Sequence, residues 1–135
     1  MTALAVALLS GDCRLLRAET AAPRERQKIE RLIQRVASAK DLQFVRNGKA
    51  YNADAAATFL RRKWEANDSE VKSARDFIEK IASFSGTSGK PYLIRLKNGS
   101  ELKSRDYLLE ELRRIEESRT APADAEPINR SRQGR

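Results

Sequence analysis

The sequence predicts an α+β fold: four amphipathic helices and two Asn-Gly β-hairpins, in the order helix–hairpin–helix twice, with an antiparallel sheet packed against the helices. Three observations lead there. Apolar residues recur at three- and four-residue spacing in four separate segments, the period of a helix with one buried stripe. Asn47-Gly48 and Asn98-Gly99 each lie between short stretches rich in β-branched and aromatic residues, the strongest local signal for a hairpin. An isolated hairpin is marginal in water, so the two must pair or pack on the helices to bury their apolar faces.

In order along the chain, Pro23 suits a first helical position, and Ile29, Leu32, Ile33 and Val36 then follow at i, i+3, i+4, i+7, predicting a helix over about Arg24 to Ala39. Leu42 to Arg46 and Lys49 to Asn52 flank the first turn. A two-residue loop sets Phe44 opposite Tyr51, which favours that register, and Arg46 opposite Lys49, which opposes it. Asn52 is placed to cap a second helix, Ala53 to Ala66, with a stripe of Ala56, Ala57, Leu60 and Trp64 and with Phe59 at its edge. Ser73 and Asp76 resemble a capping box for a third helix running to about Phe84, burying Ala74, Phe77, Ile78, Ile81 and Ala82.

Tyr92, Ile94 and Leu96 alternate with Leu93, Arg95 and Lys97, the pattern of a strand covered on one face. A three-residue loop over Lys97 to Gly99, with Gly99 left-handed, places Leu102 opposite Ile94 and keeps apolar with apolar. Ser104 is the expected cap of a last helix to about Ser118, with Leu108, Leu109, Leu112 and Ile115 inward. Setting Asn47 on Asn98 aligns Val45 with Leu96 and Tyr51 with Leu102, an internal echo with too few identities to establish duplication.

The expected organisation is residues 1–22 as a signal peptide or disordered N-terminus, 23–118 as one domain, and 119–135 as a disordered basic tail. Ala3 to Leu9 has the size of a secretory apolar core, too short to cross a bilayer as a helix. No Lys or Arg precedes it, and Arg14 and Arg17 follow. Leu9 to Cys13 nearly matches a lipoprotein box, except that Asp12 occupies a small residue's place. Export to the periplasm is the favoured reading, with a cytoplasmic location as the alternative.

Charge and chemistry narrow the function classes. The chain has 135 residues, 27 of them basic and 19 acidic, for a net +8. Residues 24–118 contain 21 basic and 15 acidic side chains, so most of the excess lies in the body and favours anionic partners. With no histidine and a single cysteine, Ser–His and Cys–His catalysis and the usual zinc sets are excluded, and no isolated carboxylate pair suggests glycoside hydrolysis. Gly86-Thr-Ser-Gly89-Lys90 fails as a nucleotide-phosphate loop: its glycines are too close, and Pro91 stands where a metal-binding hydroxyl is required. No cofactor is expected.

A gentler use of that loop remains. Ser85, Thr87, Ser88 and Gly89 beside Lys90 and Tyr92, with Arg61 and Lys63 nearby, form the candidate binding site for an anionic or polar envelope ligand. The plainer reading is an ordinary helix-to-strand loop, its hydroxyls satisfying the helix end and its glycines turning the chain. The rival function is nucleic-acid binding through a basic face of Arg61, Arg62, Lys63, Arg95, Lys97 and Lys103, with Tyr51 or Tyr92 for stacking. Against it, the aromatics fall at core-like spacings and no recognised module signature occurs. The expected state is a monomer that binds without catalysing, its partner an anionic envelope component or another envelope protein.

Phe44-Val-Arg-Asn-Gly-Lys-Ala-Tyr51, Ala56 to Trp64, Asp76-Phe-Ile78 and Ser85-Gly-Thr-Ser-Gly-Lys-Pro-Tyr92, in that order and spacing, resemble the YfeK-like family of small exported bacterial proteins, a domain of unknown function. The similarity spans about Ile29 to Leu112. Recurrent positions of that family fall on Phe44, Arg46, Asn47, Gly48, Tyr51, Leu60, Arg61, Lys63, Ser88, Gly89, Lys90, Pro91 and Tyr92. The resemblance implies a signal peptide and a periplasmic home, and it implies no reaction.

Overall fold

A computed structural model describes residues 21–120. Nearly all of the N-terminal segment read as an export signal, and of the tail, lies outside them. Helix α1 (Pro23–Ser38) begins with its proline at the first helical position, where the missing N–H costs nothing. Its Ile29, Leu32, Ile33 and Val36 are all buried. Strands β1 (Gln43–Arg46) and β2 (Lys49–Tyr51) pair antiparallel with Phe44 opposite Tyr51 and Arg46 opposite Lys49. Asn47 and Gly48 have φ of 50° and 78°, as a two-residue turn of this hand requires.

Helix α2 (Ala53–Ala66) starts at Asn52, whose Oδ1 accepts from the Ala55 N–H at 2.8 Å. A single 3₁₀ turn (Asp68–Glu70) leads to α3 (Ala74–Asp76), which passes directly into a π-helical turn (Phe77–Ile81). Ser73 Oγ accepts from the Asp76 N–H, and Asp76 Oδ2 accepts in return from the Lys72 N–H, a variant of the expected box.

The third helix departs from expectation at its end. It stops at Ile81 rather than near Phe84, and it closes on a wide turn in which the Ala82 N–H reaches the Phe77 carbonyl. The Ser83 hydroxyl donates to the Ile78 carbonyl, an oxygen a longer α-helix would use, and the Lys63 ammonium takes the free Ile81 and Phe84 carbonyls at and beyond the helix end. Phe77, Ile78, Ile81 and Ala82 are all buried through this turn.

Strands β3 (Leu93–Arg95) and β4 (Glu101–Lys103) place Ile94 opposite Leu102, with Gly99 left-handed at φ 83°. The two hairpins join through β1 and β3, which pair antiparallel with Phe44 opposite Ile94, giving the sheet order β2-β1-β3-β4. One row of side chains, Tyr51, Phe44, Ile94 and Leu102, therefore crosses the whole sheet on the helix-covered face. Helix α4 (Ser104–Thr120) buries Leu108, Leu112 and Ile115, half-buries Leu109, and runs two residues past the expected boundary at 118. Among the described residues, no helix is long and apolar enough to cross a membrane.

Ser104 does not cap α4 as the sequence suggests. Its Oγ is buried without a hydrogen-bond partner, while its N–H donates to the Tyr92 carbonyl and continues the β3–β4 ladder. The pull of the sheet turns this residue inward, so its hydroxyl cannot meet the helix's free N–H groups. Glu111 falls at the i+3 position of the stripe Leu108, Leu112 and Ile115, and its buried carboxylate is held by Arg35 at 3.3 Å and Arg114 at 3.1 Å.

The core seam makes a direct test. Ile78, fully buried at the π-helical turn, is expected to lose about 2–5 kcal/mol of stability on replacement by alanine, measured by urea denaturation.

Candidate functional site

Two stretches distant in sequence meet at one end of the sheet. The segment from Ser83 to Tyr92 folds into a closed loop. The Tyr92 N–H donates to Ser83 O and the Ser85 N–H to Lys90 O, each at 2.9 Å, and Phe84 bridges to Pro91. Gly89, at φ 67°, turns the tip, and its N–H reaches Ser85 O at 2.8 Å. This loop lies against the first hairpin turn. Ser88 Oγ donates to Asn47 Oδ1 at 2.6 Å, and Asn47 Nδ2 donates to Ser85 Oγ at 3.4 Å, with Thr87 Oγ1 at 3.1 Å from the same Ser85 oxygen. Asn47 thus does two things at once: its backbone takes the left-handed conformation the hairpin needs, and its amide holds the loop.

Beneath the loop sits a cationic corner. β1 alternates, so Arg46 shares the helix-covered face with Phe44, and the β1–β3 register brings it beside Tyr92. Its guanidinium lies over the Phe59 ring of α2 at 4.4 Å. No ion pair or hydrogen bond of its side chain occurs among the described residues, and its Nε is buried without a partner. Lys63, also on α2, donates to the Ile81 and Phe84 carbonyls at 2.8 Å and to the Tyr92 hydroxyl at 3.2 Å. Those three bonds use all of its N–H groups. Burial, and secondarily the nearby Arg46 charge, hold the Lys63 ionisation below the usual lysine range. Burial pushes the Tyr92 phenol up, partly offset by Arg46.

The candidate residues therefore separate into three groups. Ser85, Thr87, Ser88, Gly89 and Lys90 form the loop, with Ser85 buried and the others exposed. Tyr92 and Lys63 lie directly beneath it, but Tyr92 is only 1% exposed and packs between Phe44 and Phe59, so it is core rather than contact surface. Arg61 stands elsewhere: its guanidinium grips Glu30 of α1 through two bonds of 2.8 and 2.7 Å. Positions 61 and 63 are about 200° apart on a helix, so they cannot serve one small site. The anticipated basic face is likewise broken up, with Arg95 paired to Glu101 and Lys97 to Asp41.

Sequence reading of the site left out Arg46, Asn47 and Phe84. The signal for Arg46 was present, since a strand reading Phe-Val-Arg places the arginine on the phenylalanine's face. Phe84 was absorbed into the third helix, whereas it stands outside it, 42% exposed, with the Lys63 ammonium 5.6 Å from its ring.

Chemically, the corner offers charge without a reactive lone pair. Lys63 is a strut that satisfies carbonyls at the helix end. The Ser85 hydroxyl is bound by Asn47 and Thr87. Among the described residues, no group of three or more His, Cys, Asp or Glu side chains is placed to hold a metal ion. The grip on the loop is open to measurement. Asn47→Gly keeps the left-handed backbone and removes only the amide, for an expected loss of about 1 kcal/mol. Asn47→Ala adds the steric cost of positive φ, roughly 1–2 kcal/mol more, so urea denaturation should rank native above Gly above Ala.

Comparison with known proteins places the chain. The uncharacterised protein YfeK of Salmonella typhimurium (strain LT2) is 41% identical over 68 residues, which is 50% of this chain and 57% of that protein. The chain thus spans little more than half the length of this curated relative. No solved structure matches it. The family described as a family of unknown function, DUF5329, matches residues 23–116, from the first turn of α1 almost to the end of α4. The chain belongs to that family of unknown function.

Proposed function

We propose that the protein is an exported, non-catalytic binding module, a monomer that uses the joined hairpin turn and loop to contact an anionic component of the cell envelope. One observation carries this reading. The two segments that meet here, residues 42–53 and 80–100, contain no Asp or Glu, yet they and α2 bring Arg46, Lys49, Lys63 and Lys90 to one end of the molecule. None of these four forms an ion pair among the described residues. Elsewhere Arg26, Lys28, Arg35, Arg61, Arg95, Arg105 and Arg113 each meet a carboxylate, while others, Arg24, Arg31, Arg62, Lys72, Arg75 and Lys103 among them, form no ion pair among the described residues but have an Asp or Glu within three residues along the chain. Uncompensated charge at one end steers anions toward it, and the effect weakens with salt.

The loop's own polar groups act mainly as scaffold in this reading, and Lys49 and Lys90 supply the accessible charge. Export rests on the apolar segment near Met1. A cytoplasmic nucleic-acid-binding role is less well supported, because Arg61, Arg95 and Lys97 are already neutralised by carboxylates.

Two measurements test the proposal. The double variant Lys49→Ala/Lys90→Ala is expected to change stability by less than about 0.5 kcal/mol, because both side chains are exposed. It should nevertheless elute from a heparin column, used as a polyanion probe, at clearly lower salt than the native chain, whereas Arg113→Ala should elute close to native. Unchanged elution of the double variant would place the anion-binding surface elsewhere. Cell fractionation with N-terminal sequencing should find a shortened chain in the periplasm; a cytosolic protein that keeps Met1 would eliminate export.

A further inference from the structure

We infer that the partner of this end of the molecule is the surface of an anionic lipid bilayer, with Phe84 as the interfacial anchor and Lys49 and Lys90 as the electrostatic contacts. The inference rests on the reading of this end as an anion-binding surface, and it names the anion's source.

Phe84 is the large hydrophobic side chain left exposed among the described residues. It stands at the base of the closed loop, bridged to Pro91, and residues 86–91 are exposed without exception. Gly86, Thr87, Ser88 and Gly89 are small and uncharged, so nothing bulky or acidic at the tip would keep the aromatic ring from a headgroup layer. Lys49 follows the turn that Ser88 holds against the loop, and Lys90 adjoins Pro91. Apolar contact and positive charge therefore share one surface, the two-part signal that reversible attachment to an anionic membrane needs.

A bilayer fits better than a small soluble anion because of where the donors point. A pocket for a phosphate or carboxylate needs several convergent N–H and O–H groups. Here the side-chain groups are turned inward: Lys63 donates to two carbonyls and Tyr92, Ser88 donates to Asn47, and Ser85 Oγ accepts from the Asn47 amide. What remains outside is an exposed loop with one exposed aromatic ring and the exposed Lys49 and Lys90. That arrangement suits a broad charged interface, which requires no enclosing geometry.

The test uses the folded full-length chain and sedimentation with vesicles, either pure phosphatidylcholine or an equal mixture with phosphatidylglycerol. Binding is expected to the mixed vesicles, to fall steeply with added salt, and to be negligible on the neutral ones. Lys49→Ala and Lys90→Ala should each weaken it about fivefold. Phe84→Ala should weaken it about tenfold, with the fold intact because the ring is largely outside the core. Phe84→Trp should bind and shift its emission to the blue, against the constant background of buried Trp64. Equal binding to both vesicle types, unchanged affinity in Phe84→Ala, or no blue shift in Phe84→Trp on bound vesicles would overturn the inference. Failure to bind vesicles together with lysine-dependent retention on heparin would refute the bilayer and leave the anion-binding function standing. Loss of both would refute the two together.

Discussion

The antiparallel pairing of β1 with β3 is the contact on which the rest of this structure depends. Each hairpin alone has strands of only three or four residues, too short and too wet to persist. Joined, they form a four-stranded sheet whose central row of Tyr51, Phe44, Ile94 and Leu102 offers a continuous apolar strip to the helices. The partners Phe44 and Ile94 are fifty residues apart, so their meeting costs loop-closure entropy that local propensity does not return. The return comes from burial of the helical stripes, whose residues join the sheet row in one core.

The same pairing builds the basic end. Two residues along the register from Phe44 opposite Ile94, Arg46 comes beside Tyr92, and the turn that follows Arg46 meets the loop that precedes Tyr92. Lys63 then ties α2 to both the π-helical turn and Tyr92, the residue before β3, through a single ammonium group. Removing such a strut would leave two carbonyls and a phenol seeking partners in a partly dry place, where unmet polar groups are costly. Burial, and secondarily the Arg46 charge, hold the ionisation of Lys63 below the usual lysine range. Motif residues that invite a ligand-binding interpretation thus act largely on the chain itself.

Much of the fold is legible in the chain because its determinants are local. Helical stripes, the Asn52 cap and both Asn-Gly turns each depend on a few neighbouring residues, and each stands where the sequence puts it. The elements that departed from expectation were decided by distant partners. Ser104 was drawn into the ladder by Tyr92, and the third helix was shortened at its end by Lys63 and Ser83. At the candidate site, Arg61 and Lys63 look adjacent in sequence, but helical geometry sends one to Glu30 and the other to Tyr92.

By itself the sequence determined the class of fold, the places of the two turns, the core stripes and the excess of positive charge, since composition, periodicity and turn chemistry are properties of short stretches. Only the tertiary structure decided which cations are neutralised and which are left bare. Ion pairing depends on distances between side chains from separate elements, here Arg61 with Glu30, Arg95 with Glu101 and Lys97 with Asp41. Arg46, Lys49, Lys63 and Lys90 come together because two carboxylate-free segments fold onto the same end of the sheet, a juxtaposition that no local rule encodes.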